Sequence, residues 1–210
     1  MEQQAWALYH KFFESEVIHQ FQNTYLKNVT NNIKNRVGNN NFPVFAAVNT
    51  GKLELSETYF SKQVYSKNIK NYLIVKKNSF AYNPARINIG SIGLNEHGFT
   101  GCVSPVYVVF DCEYNYHHFF KFFIKSKKFK ENVKVRSSGS VRQSLTYKDF
   151  GEIDILYPPK DVIYKFNSRY EPILYLQKQI IFENINLNKI RDSLLPKLMS
   201  GELDVSVIDI

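Results

Sequence analysis

The sequence predicts an α+β protein, a mainly β domain with short helices followed by a long C-terminal helix of coiled-coil type. Three observations predict it. Short segments rich in valine and aromatic residues, separated by turn signals, fill the centre of the chain. Pro158-Pro159 stops that pattern, and an apolar period of roughly 3.5 to 3.6 residues then runs for about forty residues. With 210 residues and 44% apolar side chains, the chain can fill one core and still carry an appendage.

Residues 2–22 carry helical periodicity, with Ala5, Leu8, Phe12 and Phe13 on one face. No capping residue precedes that stripe, so it reads as a helix entered midway. Residues 28–41 are polar and asparagine-rich and predict a loop. Strands are expected at 42–48, 72–75 and, most strongly, 103–110. Asn49-Thr50-Gly51, Lys77-Asn78 and the glycines 90, 93, 98 and 101 punctuate them, and residues 117–129 predict a short helix.

After Pro159, Asp161 can cap the next helix. Ile173, Ile180, Leu187 and Leu194 fall seven apart and are supported by Leu176, Ile190 and Leu198, which makes one continuous apolar stripe. Pro172 predicts a kink or restart, and Pro196 followed by Gly201 predicts the end. An amphipathic helix usually packs on its own core. At about 1.5 Å per residue this one is roughly 55 Å long, too long for a domain of this size, so much of the stripe needs another helix. Glu183 and Lys197 interrupt the second seam and favour antiparallel pairing over a parallel zipper.

The net charge of +8, from 27 Lys and Arg against 19 Asp and Glu, attracts polyanions, nucleic acid first and anionic membrane second. No apolar run is long enough to span a bilayer, and Met1-Glu2-Gln3-Gln4 lacks the basic start of a signal peptide, so a cytoplasmic protein with no membrane partner is expected. Cys102 and Cys112 lack the spacing of a disulfide framework or zinc site and read as reduced thiols. His10, His19, His97, His117 and His118 give one adjacent pair, read as a surface pair, and no metal motif. No metal or other cofactor is expected.

Two segments are candidates for DNA. The first holds Lys121, Lys125, Lys127, Lys128, Lys130, Lys134, Arg136 and Arg142 against the single acid Glu131, a local excess of seven, interleaved with Phe122, Phe123 and Phe129. Its continuation, residues 137–144, offers Ser138, Arg142 and Gln143 beside a flexible glycine for phosphate and base-edge contacts. In the second, residues 81–91, Arg86 can read guanine and Asn83 or Asn88 adenine. A structural turn whose asparagines satisfy their own backbone is an equal reading. Asn83-Pro84 is similar to half of the Asn-Pro-Pro-aromatic motif of adenine methyltransferases, but Ala85 and Arg86 break it and no glycine-rich cofactor loop precedes it. Glu152 and Asp154 share strand-face spacing, as polar alternation also would, and nothing else marks them for nuclease chemistry.

Four segments together resemble the specificity subunits of type I restriction-modification systems: residues 72–93 (YLIVKKNSFAYNPARINIGSIG), 103–110 (VSPVYVVF), 139–159 (GSVRQSLTYKDFGEIDILYPP) and 183–205 (ENINLNKIRDSLLPKLMSGELDV). The last, with its Leu-Leu-Pro-Lys-Leu-x-Ser-Gly-Glu ending, is the most specific. The resemblance implies a target recognition domain followed by a conserved spacer helix. It also implies no catalytic residue in this chain. Family members carry two such domains separated by two antiparallel helices, each domain reading half of a split duplex site. Separate modification subunits methylate adenine, and a restriction subunit cuts. Here one domain is present, and EQQAWALYHKFF resembles the last turns of a first spacer helix. The implied organisation is residues 1–22 as the end of a spacer helix, 23–159 as the recognition domain, 160–200 as the C-terminal spacer and dimerisation helix, and 201–210 as a tail. The expected partners are double-stranded DNA, the modification and restriction subunits, and a second copy through the C-terminal helix. A structural interaction protein with an incidental basic face, and an enzyme acting on nucleic acid, remain the alternatives.

Overall fold

The computed structural model describes residues 2–14, 20–61, 64–138 and 144–203, Ser138 by its backbone only. Along the chain come α1 (Glu2–Phe13), β1 (Gln22–Tyr25), a one-turn α2 (Leu26–Val29), β2 (Thr30–Ile33), β3 (Phe45–Val48), β4 (Lys52–Leu55) and a one-turn α3 (Ser56–Tyr59). Then follow β5 (Leu73–Val75), β6 (Phe80–Tyr82), a 3-10 turn (Ile87–Ile89), β7 (Ile92–Leu94), β8 (Gly101–Val103) and β9 (Val108–Cys112). The chain continues through α4 (His117–Phe123), α5 (Lys127–Ser138), α6 (Tyr147–Gly151), β10 (Asp154–Tyr157) and α7 (Lys160–Met199). The α+β class with a long C-terminal helix is as the sequence predicts, with more helix inside the domain than the turn signals suggested.

Six strands form one sheet in the order β2-β9-β6-β7-β4-β3, antiparallel except for the β4–β7 contact. The central strands alternate as a half-buried pleat requires. Phe80, Tyr82 and Phe110 turn to the helices, where Phe80 stacks on Phe110 at 5.0 Å and Phe150 lies 4.9 Å from Phe110. Ala81 and Val109 turn the other way, packing with Val75 and Val103 of the β5–β8 pair. The β1–β10 pair closes the helical side.

Local propensity lost to tertiary pairing at several places. Residues 30–33, expected as loop, form an edge strand on β9, where Asn31 Nδ2 donates to Asp111 Oδ1 at 3.1 Å. The strand expected at 103–110 is two strands. Pro105 cannot donate to a ladder, and Tyr107 N–H turns back to Ser104 O at 3.0 Å. The helix expected at 117–129 is also two, because Ser126 Oγ accepts from Phe129 N–H at 3.2 Å and starts α5 afresh. Helix α1 stops at Phe13, well short of residue 22, which opens β1.

Both chain ends dock on α4. Its run Phe119, Phe120, Phe122, Phe123 is buried on every side, since a helix apolar all round has no solvent face. Phe13 packs 4.9 Å from Phe119 and 4.8 Å from Phe166 of α7, and Phe122 lies 5.3 Å from Tyr170. Asn167 Nδ2 donates to Asn115 O at 2.8 Å, and Lys121 Nζ donates to Glu96 Oε1 at 2.7 Å and to Tyr170 Oη at 3.1 Å.

Helix α7 is one continuous element of 40 residues, about 60 Å long, so Pro172 does not restart it. Pro172 and Ser168 lie on the exposed side, where water can take the carbonyl that the missing N–H leaves over. Pro159, not Asp161, occupies the N-cap, and Asp161 instead pairs with Lys165 at 3.3 Å. The end comes at Gly201, with φ of 73° and its N–H bonded to Leu198 O at 3.2 Å. Among the described residues, no helix is long and apolar enough to cross a membrane.

The histidine pair is not at the surface. His118 is 7% exposed, edge-on to Tyr170 at 4.9 Å, with Nδ1 unpartnered among the described residues. Burial holds its imidazole down to about 3 and that of His117 to about 4, so both rings are neutral. Cys102 and Cys112 are free thiols, as expected, and burial pushes them up to about 11 and about 12.

Two stability measurements follow from this packing. Phe166→Ala, which empties a fully buried site between α1, α4 and α7, is expected to remove about 3–5 kcal/mol in urea denaturation. A loss below 1 kcal/mol would show the junction to be loosely packed. The unfolded His118 ring takes a proton below about pH 6.5, whereas the folded ring stays neutral until about pH 3. Its contribution is therefore full above pH 6.5 and is lost as pH falls towards 3, at up to about 1.4 kcal/mol per unit. Urea midpoints taken from pH 7 to pH 5 should fall less steeply in His118→Phe, and equal slopes would refute the assignment.

Candidate nucleic-acid interface

The basic run is divided by helix geometry into two sets. One is consumed by the fold. Lys121 is mostly buried, and although burial works against its charge, Glu96 and Tyr170 outweigh that and raise its pKa. Lys128 Nζ lies 2.6 Å from Asp154 Oδ2, and this hydrogen bond is the main cause holding that carboxyl below its usual range. Arg136 Nη2 donates to Glu152 O at 2.6 Å, while its buried Nε has no partner among the described residues. These three cations brace α4 and α5 against their neighbours. Phe122, Phe123 and Phe129, which interleave the run, are buried core rings and offer nothing for bases to stack on.

The other set faces a groove. Lys127, Lys130 and Lys134 lie three and four apart on α5, one helical face, and Lys125 precedes them. The opposite wall is the turn Asn49-Thr50-Gly51 and the segment Ile87–Gly90, and the space between is about 1030 Å³. The stem of Lys125 lies against Gly51, and burial first, then Lys121, lowers its pKa. Glu131, the one acid in the run, also lines the groove and lies 3.8 Å from Lys127. The tertiary fold thus brings together the two segments that are forty residues apart in the chain.

In the second segment, Asn83 Oδ1 accepts from Ala85 N–H at 3.0 Å, the structural-turn reading of that asparagine. Arg86 and Asn88 are exposed, with no side-chain partner among the described residues. Leu145 N–H donates to Pro84 O at 3.0 Å, so the return of the chain from the 137–144 segment is pinned to this turn. Arg142 and Gln143 lie outside the described residues, and so does the side chain of Ser138. Glu152 pairs with Lys27 at 2.9 Å and Asp154 with Lys128, so the two carboxylates are engaged with different lysines.

Sequence reasoning read Asn49 and Thr50 only as a turn, and named Lys130 and Ile89 only as members of the two candidate segments. The spacing of Lys130 from Lys127 and Lys134 was a usable helical signal. Nothing in the sequence tied Asn49 to Gly90, because their contact is made by a sheet crossover.

The second apolar surface is α7. Ile173 and Ile180 are half-buried where the helix leaves the domain, while Leu176, Leu187, Ile190, Leu194 and Leu198 are exposed, Leu187 at 54%. Ile181, Phe182 and Ile185, absent from the expected stripe, are exposed on another side of the helix.

No known family model matches the chain. It is 36% identical over 67 residues to the type I restriction enzyme HindI specificity subunit of Haemophilus influenzae, which covers 32% of this chain and 15% of that protein. It is 33% identical over 137 residues to the type I restriction enzyme MjaIX specificity subunit of Methanocaldococcus jannaschii, covering 63% of this chain and 29% of that protein. The crystal structure of a type I restriction-modification S subunit from M. genitalium has the same fold, with a TM-score of 0.57 at 17% identity over 94% of this chain and 53% of that one. The chain therefore spans less than a third of either curated relative and about half of the solved subunit. In sequence over part of its length, and in fold, this chain is similar to the type I restriction-modification specificity subunits, with an α+β domain and a long C-terminal helix.

Proposed function

We propose that the chain is a DNA sequence-specificity subunit, or half-subunit, of a type I restriction-modification complex, working in the cytoplasm and doing no chemistry itself. Residues 23–159 read one half of a split duplex site. Residues 160–200 pair with a second helix, and α1 (Glu2–Phe13) is the end of a spacer helix. Modification subunits and a restriction subunit supply methylation and cleavage. The observation that carries this reading is the part of α7 beyond Tyr170, which extends about 45 Å with Leu176, Leu187, Ile190, Leu194 and Leu198 exposed. Apolar surface on that scale is stable in water only when covered, at about 25 cal/mol for each Å² buried. A stiff helix pair is also a ruler: it sets the distance between two reading domains, and so the number of unread base pairs between half-sites.

The second helix comes from another copy of this chain, laid antiparallel on the seam of Leu187, Ile190 and Leu194. Ile181, Phe182 and Ile185 leave a further side for a modification subunit. The lysine-walled groove, with the candidates Asn88, Lys125, Lys127 and Lys134, supplies the DNA face, and Arg86 precedes its wall in the chain. Arg142, Gln143 and Ser138 adjoin it in sequence.

Two outcomes are expected. In sedimentation at micromolar concentration the wild type should be a dimer and Leu187→Asp a monomer, since a lone carboxylate in an apolar seam costs several kcal/mol. A wild-type monomer would assign the seam to another protein. Affinity for a defined duplex should fall at least tenfold between roughly 50 and 200 mM salt. Absence of duplex binding at the lower salt would leave the basic face incidental, and turnover of DNA by the isolated chain with Mg²⁺ or a methyl donor would make it an enzyme.

A further inference from the structure

The turn opposite the lysine row holds two side chains in an unusual state. Ile89 is 64% exposed, and the carboxamide of Asn88 has no partner among the described residues. The backbone beneath them is not free to withdraw them. Ile89 N–H and Ser91 N–H both donate to Arg86 O, at 3.2 and 3.1 Å, and Asn83 N–H donates to Ser91 O at 3.0 Å. The buried Ser91 hydroxyl donates to Ala47 O at 2.7 Å, and Ile87 anchors the turn from below. Gly90 has φ of 88°, and a Cβ there would lie 2.9 Å from Asn49 O, so only glycine closes the turn. An isoleucine held in water by a rigid turn, beside an amide with unused donors and acceptor, is pre-arranged for a surface that offers both apolar and hydrogen-bonding contacts.

The facing wall decides which surface. Lys127, Lys130 and Lys134 line one face of α5 across the groove with Lys125 beside them, and these four cations outnumber the two acids of the lining, Glu2 and Glu131. A partner must therefore carry a row of negative charge next to edges that are part apolar and part polar. Duplex DNA has this arrangement, with phosphates flanking base edges and thymine methyls in the major groove.

Resting on the specificity-subunit reading, we propose that Asn88 and Ile89 are base-reading residues of this domain. The Asn88 carboxamide bonds a base edge and Ile89 packs on a thymine methyl, while Lys127 and Lys130 hold the neighbouring phosphates without reading sequence. Division of labour of this kind separates specificity from affinity, so the two can be lost independently.

The test is selection from a randomised double-stranded DNA library by the full-length chain, with binding constants then measured across a salt series. Wild type is compared with Asn88→Ala/Ile89→Ala and with Lys127→Ala/Lys130→Ala, all surface changes whose folding is checked by circular dichroism. The first variant should lose about tenfold or more of discrimination at one or two base pairs, and keep its affinity for unselected duplex within about twofold. The second should bind every sequence more weakly, with the slope of log affinity against log salt reduced by about 2, and select the wild-type sequence. If the Asn88/Ile89 variant selects the same sequence with undiminished discrimination, the turn does not read DNA and the proposal fails while the specificity-subunit reading stands. If the wild type shows no preference among duplexes, that reading fails and this one falls with it.

Discussion

The arrangement of the molecule depends on the aromatic junction where α1 and α7 meet α4. Tyr9 and Phe13 from one end of the chain, Phe119 and Phe122 from the middle, and Phe166 and Tyr170 from the last helix pack ring on ring with centroids about 5–6 Å apart. Aromatic pairs at such distances contribute beyond their buried area and restrict relative orientation, because offset and edge-on contacts are directional. Lys121, Glu96 and Tyr170 tie the same place with hydrogen bonds in a water-poor setting. The direction in which α7 leaves the domain is therefore set by a packed, polar-clasped joint rather than by a linker. If α7 pairs with a second helix as proposed, such a joint would transmit geometry from that pair to the lysine-walled groove.

The same joint explains why charge counting along the chain overstates the number of lysines that face the groove. Helical residues three and four apart share a face and residues one or two apart do not, so a run of lysines on α4 and α5 necessarily points several ways. Lys121 points into the α7 joint and Lys128 to β10, and Arg136 reaches the carbonyl of Glu152. Lys127, Lys130 and Lys134 remain for the groove. The phenylalanines between them are the core side of the same helices, which is why aromatic interleaving marked packing here and not stacking on bases.

Much was legible from residue order. The long stripe from Ile173 to Leu198 marked both the helix and its unfilled face, since period 3.6 over forty residues has few other meanings and no small domain can cover it. The Leu-Leu-Pro-Lys-Leu-Met-Ser-Gly-Glu ending was the most specific part of the resemblance to specificity subunits. Strand limits were read less well, at Pro105 and at the asparagines of β2, because ladder partners outweigh propensity over three or four residues. Pro172 does not restart the helix, because one missing N–H on a solvated face does not end a helix anchored by Phe166 and Tyr170.

What the sequence determined by itself is local and additive: composition, net charge, helical period, the buried run of α4, and the motif that names its relatives. Which lysines face the Ile87–Gly90 turn across a groove, how Gly90 fits beneath Asn49 O, and why His117 and His118 are neutral were decided by tertiary structure alone. The physical reason is that these properties depend on distances between residues far apart in the chain, and the sheet crossover and the aromatic junction set those distances only when the whole core closes.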